Sequence, residues 1–378
     1  MDQGKYKKLN PYHVFFLINN TMVGQGLLSI SHALSPVGYN QYWIPFLLGV
    51  VTQLVLIPMY WLGMRYPEDN LYVINERLLG KWLGKLVNLV FLIYLIMVFA
   101  AVTHNYLRLV QAVTMPDRTM YPALIAILFV SCYIVLGGIK LVARFCMLGF
   151  FFTAWMMVYL HWGIQKGEFS HMLPLFNVNM RDVWQASYQA YESFFGYELL
   201  LVYFPYIVQQ KRSLLHVSGG LWLTVLVYTG VSLVSVVYFS EWQLENLRYP
   251  VLNLFKAVEL TFVERIENFG IALWVFLVLS TAAPYLWAAK KAMDAVMSHN
   301  RRIHLYVILV CAYLLARVQM PTWLRQKLFE DWSFWLGYTM VVIPVLLLLL
   351  SLIRKPATPA KEQPQALAET DDGGGTQG

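Results

Sequence analysis

Charge is what this chain has least of. Only 13% of its 378 residues are Asp, Glu, Lys or Arg, against about a quarter in an ordinary soluble domain. That shortage excludes a water-soluble globular fold of this length. Cysteine is scarce as well. Cys132, Cys146 and Cys311 stand far apart, in or beside apolar runs, which excludes a disulfide framework and a thiolate metal site. Each reads as a small core residue. The chain has no GxxxxGK phosphate loop, no HExxH and no nucleophile constellation. It therefore reads as a protein that is not an enzyme and needs no cofactor or metal.

Apolar residues are abundant. Hydrophobic residues make up 58% of the chain and aromatics 16%, the composition of a polytopic, all-α membrane protein. The formal net charge of +7 then points to cytoplasmic loops and not to nucleic acid. The start, MDQGKYKKLNPY, is basic. The apolar stretch after it is too long for a signal-peptide core and lacks a small-residue cleavage site, so it reads as an anchoring span.

Apolar windows predict ten membrane helices. They run near Tyr12–Ser31, Trp43–Met64, Trp82–Val110, Tyr121–Ile139, Phe145–Ile164, Val183–Ile207, Leu215–Phe239, Phe269–Ala289, Ile303–Val318 and Phe334–Ile353. Pro250–Phe262 reads as an amphipathic helix outside the spans. Residues 1–354 form one transmembrane domain on this reading, with repeats at about 12–164 and 183–353. Residues 355–378, rich in Pro, Ala, Gln and Gly, read as a disordered cytoplasmic tail. Most Lys and Arg fall in alternate loops on the side of both termini, which predicts cytoplasmic termini.

Two of these windows carry helix-breaking chemistry. VGQGLL in span 1 sets Gly24 and Gly26 around Gln25, and FFGYEL in span 6 puts Gly196 and Glu198 at mid-depth. Ten spans divide into five and five, and the breaks occupy the first span of each half. Matching breaks in corresponding helices point to a transporter binding site, because unwound backbone is tolerated inside a membrane only where it lines a cavity. The opposing reading is close helix packing through small residues. The motif Asn19-Asn20-Thr21 matches a glycosylation sequon but lies within the first span, and reads as a chance match.

The remaining candidates are individual polar residues. A mid-span carboxylate is costly and usually functional, so Glu198 serves either a ligand or proton role or the backbone freed by the break. His104 reads as a proton relay or a packing histidine. Tyr94 offers a hydroxyl from span 3. Ser280 and Thr281 interrupt an apolar run in span 8, and Thr281 shares a helix face with Tyr285. Their hydroxyls serve a ligand or ion site, or bond their own helix. Glu264 and Arg265, before span 8, form a solvated face, or else a partner surface or gate.

NNTMVGQGLLSI, FFGYELLLVYFP, and YPVLNLF followed by FVERIENF resemble the spore-germination permease family. These are B-type subunits of nutrient germinant receptors, within the amino acid–polyamine–organocation superfamily. The resemblance implies a LeuT-like fold of two inverted five-helix repeats with spans 1 and 6 broken. It implies that Gly24, Gln25, Gly26, Tyr94, Gly196, Tyr197, Glu198, Thr281 and Tyr285 line the site of a small nutrient, most often an amino acid. It also implies A-type and C-type receptor subunits as partners, residence in a bacterial cell or spore inner membrane, and a role in triggering germination. The alternative is a secondary transporter of amino acids or related amines.

Overall fold

A computed structural model describes residues 9–24, 26–258, 266–318 and 321–353. Gln25, Glu264, Arg265 and the tail 355–378 lie outside the described residues. The described chain is built of helices joined by turns and loops, with one parallel bridge between Leu9 and Ile207.

The first span window becomes two helices, α1 (Pro11–Val23) and α2 (Gly26–Ala33), bent by 51°. A 3₁₀ stretch, Ser35–Trp43, leads into α3 (Ile44–Arg65). A short helix, α4 (Leu71–Leu79), precedes the long α5 (Lys81–Val113). Next come α6 (Tyr121–Leu136), α7 (Gly138–Thr153) and α8 (Leu160–Lys166), the last two joined by a 3₁₀ segment. The second glycine-bearing window is divided into α9 (Met180–Tyr191), short 3₁₀ turns and α10 (Leu200–Tyr203). The rest is α11 (Ser213–Tyr238), α12 (Glu241–Asn246), α13 (Pro250–Phe255), α14 (Ile266–Val296), α15 (Ile303–Arg317), α16 (Thr322–Gln326) and α17 (Ser333–Ile353).

The expectation of ten transmembrane helices in two inverted five-helix repeats is overturned. Among the described residues, six helical stretches are long and apolar enough to cross a membrane, or seven with α1 and α2 counted as one bent span. Spanning takes about 20 residues. The helix α6 has 16 residues and α15 has 15. The window at Val183–Ile207 holds most of the 12-residue α9, three short 3₁₀ turns and the four-residue α10. An apolar window counts side chains and is blind to backbone angles. Phe195 is extended and Gly196 has φ +129°, so a continuous apolar run is not a continuous helix there. Lys140 and Arg144, expected in a loop, lie inside α7.

The helix expected over Pro250–Phe262 is the six-residue α13. Pro250, Val251, Leu252, Leu254 and Phe255 are all buried, so it packs into the bundle, against α2 and α14, and is no surface helix.

The core centres on α14, which packs on α5, α7 and α1. Its apolar window is 72% buried, against 33% for the last span. Helix α4 is locked to this centre by polar contacts. Tyr72 donates to Ala288 O on α14 at 3.0 Å. Asn88 of α5, fully buried, accepts from Asn75 Nδ2 at 2.7 Å and donates to Tyr72 O at 3.0 Å. Truncating Asn88 strands both partners at a cost of about 1–3 kcal/mol. Asn88→Ala is therefore expected to lower the thermal unfolding midpoint of the detergent-solubilised protein clearly. A midpoint equal to wild type would mean the asparagine pair does not hold α4.

Candidate functional site

The first break is stitched to α14 through Asn20. Thr281 Oγ donates to Asn20 O at 2.9 Å. Ser280 Oγ lies 2.9 Å from Leu277 O and 3.4 Å from Asn20 Oδ1. The backbone reaches Thr281 because residue 24 is glycine: a Cβ there would sit 2.3 Å from Thr281 Oγ. Both hydroxyls singled out in the sequence as an ion site are thus engaged with α1 or with their own helix.

The second break rests on the first. A Cβ on Gly196 would lie 2.8 Å from the carbonyl carbon of Thr21, and its φ of +129° suits only glycine. On the other side, a Cβ on Gly26 would lie 2.7 Å from Ser193 Cβ. The two interruptions are therefore one structure, backbone against backbone.

Glu198 closes this arrangement from behind. It is fully buried. One carboxylate oxygen accepts from Gly196 N at 2.5 Å. The other accepts from Tyr94 OH at 3.0 Å and from Tyr285 OH at 2.7 Å. The Gly196 amide is an obligate donor, and the two tyrosine hydroxyls converge on the other oxygen. The two tyrosine rings meet edge to face, 6.3 Å apart. Tyr94 comes from α5 and Tyr285 from α14, so Glu198 joins the second break to the two long central helices.

A cavity of about 940 Å³ opens onto the breaks. Of the residues expected at the site, Gly26, Tyr94, Thr281 and Tyr285 line it. Glu198 is not in its wall and holds Tyr94 and Tyr285, which are. Tyr197 is also behind the wall, 2.7 Å from the Tyr191 hydroxyl. The cavity widens to the surface past Glu192, Asn246 and Arg248, which are exposed, with Arg325 and Asp331 also lining it. Apart from the cavity wall, Leu9 bridges Ile207, Tyr206 and Trp287 pack edge to face at 5.5 Å, and Lys291 lies 5.8 and 5.9 Å from their ring centres.

His104 is beside the cavity and not in its wall. Its Nδ1 lies 3.0 Å from Ala316 O and its ring 5.7 Å from Phe329; its neighbour Asn105 lines the cavity instead. Sequence reasoning missed Asn20, Ser193, Phe195 and Tyr228. The signal for Asn20 was present. Two amide side chains beside a helix break in an apolar span need partners, and the glycosylation pattern distracted from that need. Tyr228 carried no signal, being one of 24 tyrosines.

The comparisons with known proteins agree with one another. A family model described as spore germination protein matches residues 8–322. The chain is 27% identical to spore germination protein GerQB of Bacillus cereus, over 90% of this chain and 95% of that one. It is 22% identical to spore germination protein A2 of Bacillus subtilis, over 93% and 97% of the two chains. In fold it is similar to the crystal structure of MhsT in complex with L-phenylalanine, with TM-score 0.60, 14% identity, and coverage of 90% of this chain and 88% of that one. A glycine-broken bundle of this fold, matched along most of its length by germination proteins, belongs to the spore germination permease family.

Proposed function

We propose that the chain is the permease-like, nutrient-sensing subunit of a germinant receptor, and that it binds a small amino acid at the two breaks. The observation that carries this reading is the cavity built on them, lined by Gly26, Tyr94, Thr281 and Tyr285. The chemistry suits a zwitterion. Gly26 opens α2, and the first amides of a helix have no partner within it and favour a carboxylate. Carbonyls freed at the breaks accept from an ammonium. The similarly folded MhsT was crystallised with an amino acid, which supports the same ligand class here. Family membership also accords with a chain that is not an enzyme.

On this reading the protein spans a bacterial cell or spore inner membrane with both termini cytoplasmic. It works with A-type and C-type receptor subunits, and nutrient binding triggers germination. Binding without accumulation in sealed vesicles is the expected behaviour; accumulation of the bound amino acid would make the chain a secondary transporter instead. The direct test is thermal stabilisation of the purified protein by each of the protein amino acids, since a ligand that binds the folded state raises its apparent stability. No shift with any of them would remove the amino acid from the proposal.

Gly26→Leu is expected to leave the protein in the membrane and abolish the response. Even the first carbon of the new side chain must displace Ser193, so the substitution wedges the two breaks apart. A variant present at wild-type level that responds at wild-type nutrient concentrations would contradict a site here.

Glu198→Gln is a sharper test, because both carboxyl oxygens are engaged, one with the Gly196 amide and the other with the two tyrosine hydroxyls. The amide nitrogen cannot accept, so it must face either Gly196 N, which cannot accept either, or the tyrosine pair, whose hydroxyls must then turn to accept; either way the carboxyl arrangement is lost. We expect roughly a tenfold or greater rise in the nutrient concentration for half-maximal germination. Glu198→Ala should in addition lower protein abundance. A Gln variant whose dose–response curve overlays wild type would dismiss Glu198 as a support of the site.

A further inference from the structure

Helix α11 touches both breaks through one atom. The Tyr228 hydroxyl lies 2.9 Å from Met22 O and 2.8 Å from Ser193 O, and the residue is fully buried. In an unbroken helix Met22 O would accept from the N–H of residue 26, and Ser193 O from that of residue 197. Both of those donors lie beyond a break. A phenol carries one proton, so it serves one carbonyl at a time and two freed acceptors compete for it.

The surroundings fix the hydroxyl in that position. Phe194, within the second break, packs edge-on against the Tyr228 ring at 5.2 Å. One turn before Tyr228, Thr224 accepts from Asn19 of α1 at 2.9 Å. Two turns after it, Ser235 accepts from Ser31 of α2 at 2.9 Å. Residues 224, 228 and 235 share one face of α11. That face holds both halves of the first broken helix as well as the second break. Met22 and Ser193 also line the cavity.

We propose that Tyr228 is the positioning residue that couples the two breaks, its one proton shared between the Met22 and Ser193 carbonyls so that neither break shifts without the other. A donor that enters the cavity and takes one carbonyl releases the phenol to the other, and the change is felt at both breaks and along α11. The coupling is a property of the folded chain alone and does not rest on the nutrient reading.

Hydrogen–deuterium exchange on the full-length protein in detergent, without added ligand, tests it. Tyr228→Phe keeps the ring and removes the proton. Peptides covering residues 20–30 and 193–200 should both exchange roughly 2- to 10-fold faster, while α3 and α17 exchange as in wild type. Unchanged exchange in either break, or a rise spread through α3 and α17, overturns the proposal. Should Tyr228→Phe fail to accumulate, Thr281→Val tests the coupling with the phenol in place. It removes the bond to Asn20 O at the first break only, and the second break should loosen with the first. A second break that keeps wild-type exchange overturns the coupling. The nutrient reading fails separately, through the absence of any thermal shift with amino acids, and that result leaves the exchange comparison intact.

Discussion

A backbone amide or carbonyl released from a helix inside a bilayer has no water to turn to. Leaving it unpaired costs about 1–3 kcal/mol, a large fraction of the stability of any single domain. This chain releases such groups twice, near Gly24 and near Gly196, and the architecture around them follows from the need to pair them. Glu198 serves Gly196 N and Tyr228 stands between Met22 O and Ser193 O, while Thr281 ties Asn20 O, which still accepts from Gly24 N, to α14. Each of these side chains comes from another helix or from across a break. The interruptions are therefore the points at which α1, α5, α11 and α14 are fastened to one another.

The same constraint explains why Glu198 is a carboxylate. Three donors converge on it from a backbone amide and two tyrosines. An amide or hydroxyl at this position could serve the Gly196 amide only with its oxygen, and a tyrosine hydroxyl would have to turn to accept. The cost of a buried acidic group is offset in part by its three hydrogen bonds, which tie the second break to α5 and α14. Tyr94 and Tyr285 are held at fixed angles with their rings at the cavity. Glu198 thus shapes the cavity without lining it.

Membrane residence was legible from composition. So was the place of each helix interruption, because glycine beside a polar residue weakens a helix at the point where hydropathy alone would continue it. Tyr94, Thr281 and Tyr285 could be named from their spans, although nothing in the sequence said that both tyrosines would bond one carboxylate. The number of spans was not legible. Hydropathy windows at Tyr121–Ile139 and Ile303–Val318 contain helices of 16 and 15 residues, and the window around Gly196 contains no long helix. The side-chain pattern is the same for a long helix, a short helix and an interrupted one; the dihedral angles decide between them.

The sequence by itself determined the solvent this protein lives in, its helical character, its family, and the two positions where helix gives way. These are local properties: transfer energies of side chains and conformational preferences of glycine. Tertiary structure alone decided which groups satisfy the broken backbone. The contacts Asn20 to Thr281, Tyr94 and Tyr285 to Glu198, and Tyr228 to Met22 and Ser193 join residues separated by 261, 104, 87, 206 and 35 positions. No periodicity links such pairs. They meet because packing around α14 brings their helices within hydrogen-bond reach, and because a buried polar group left unpaired is costly.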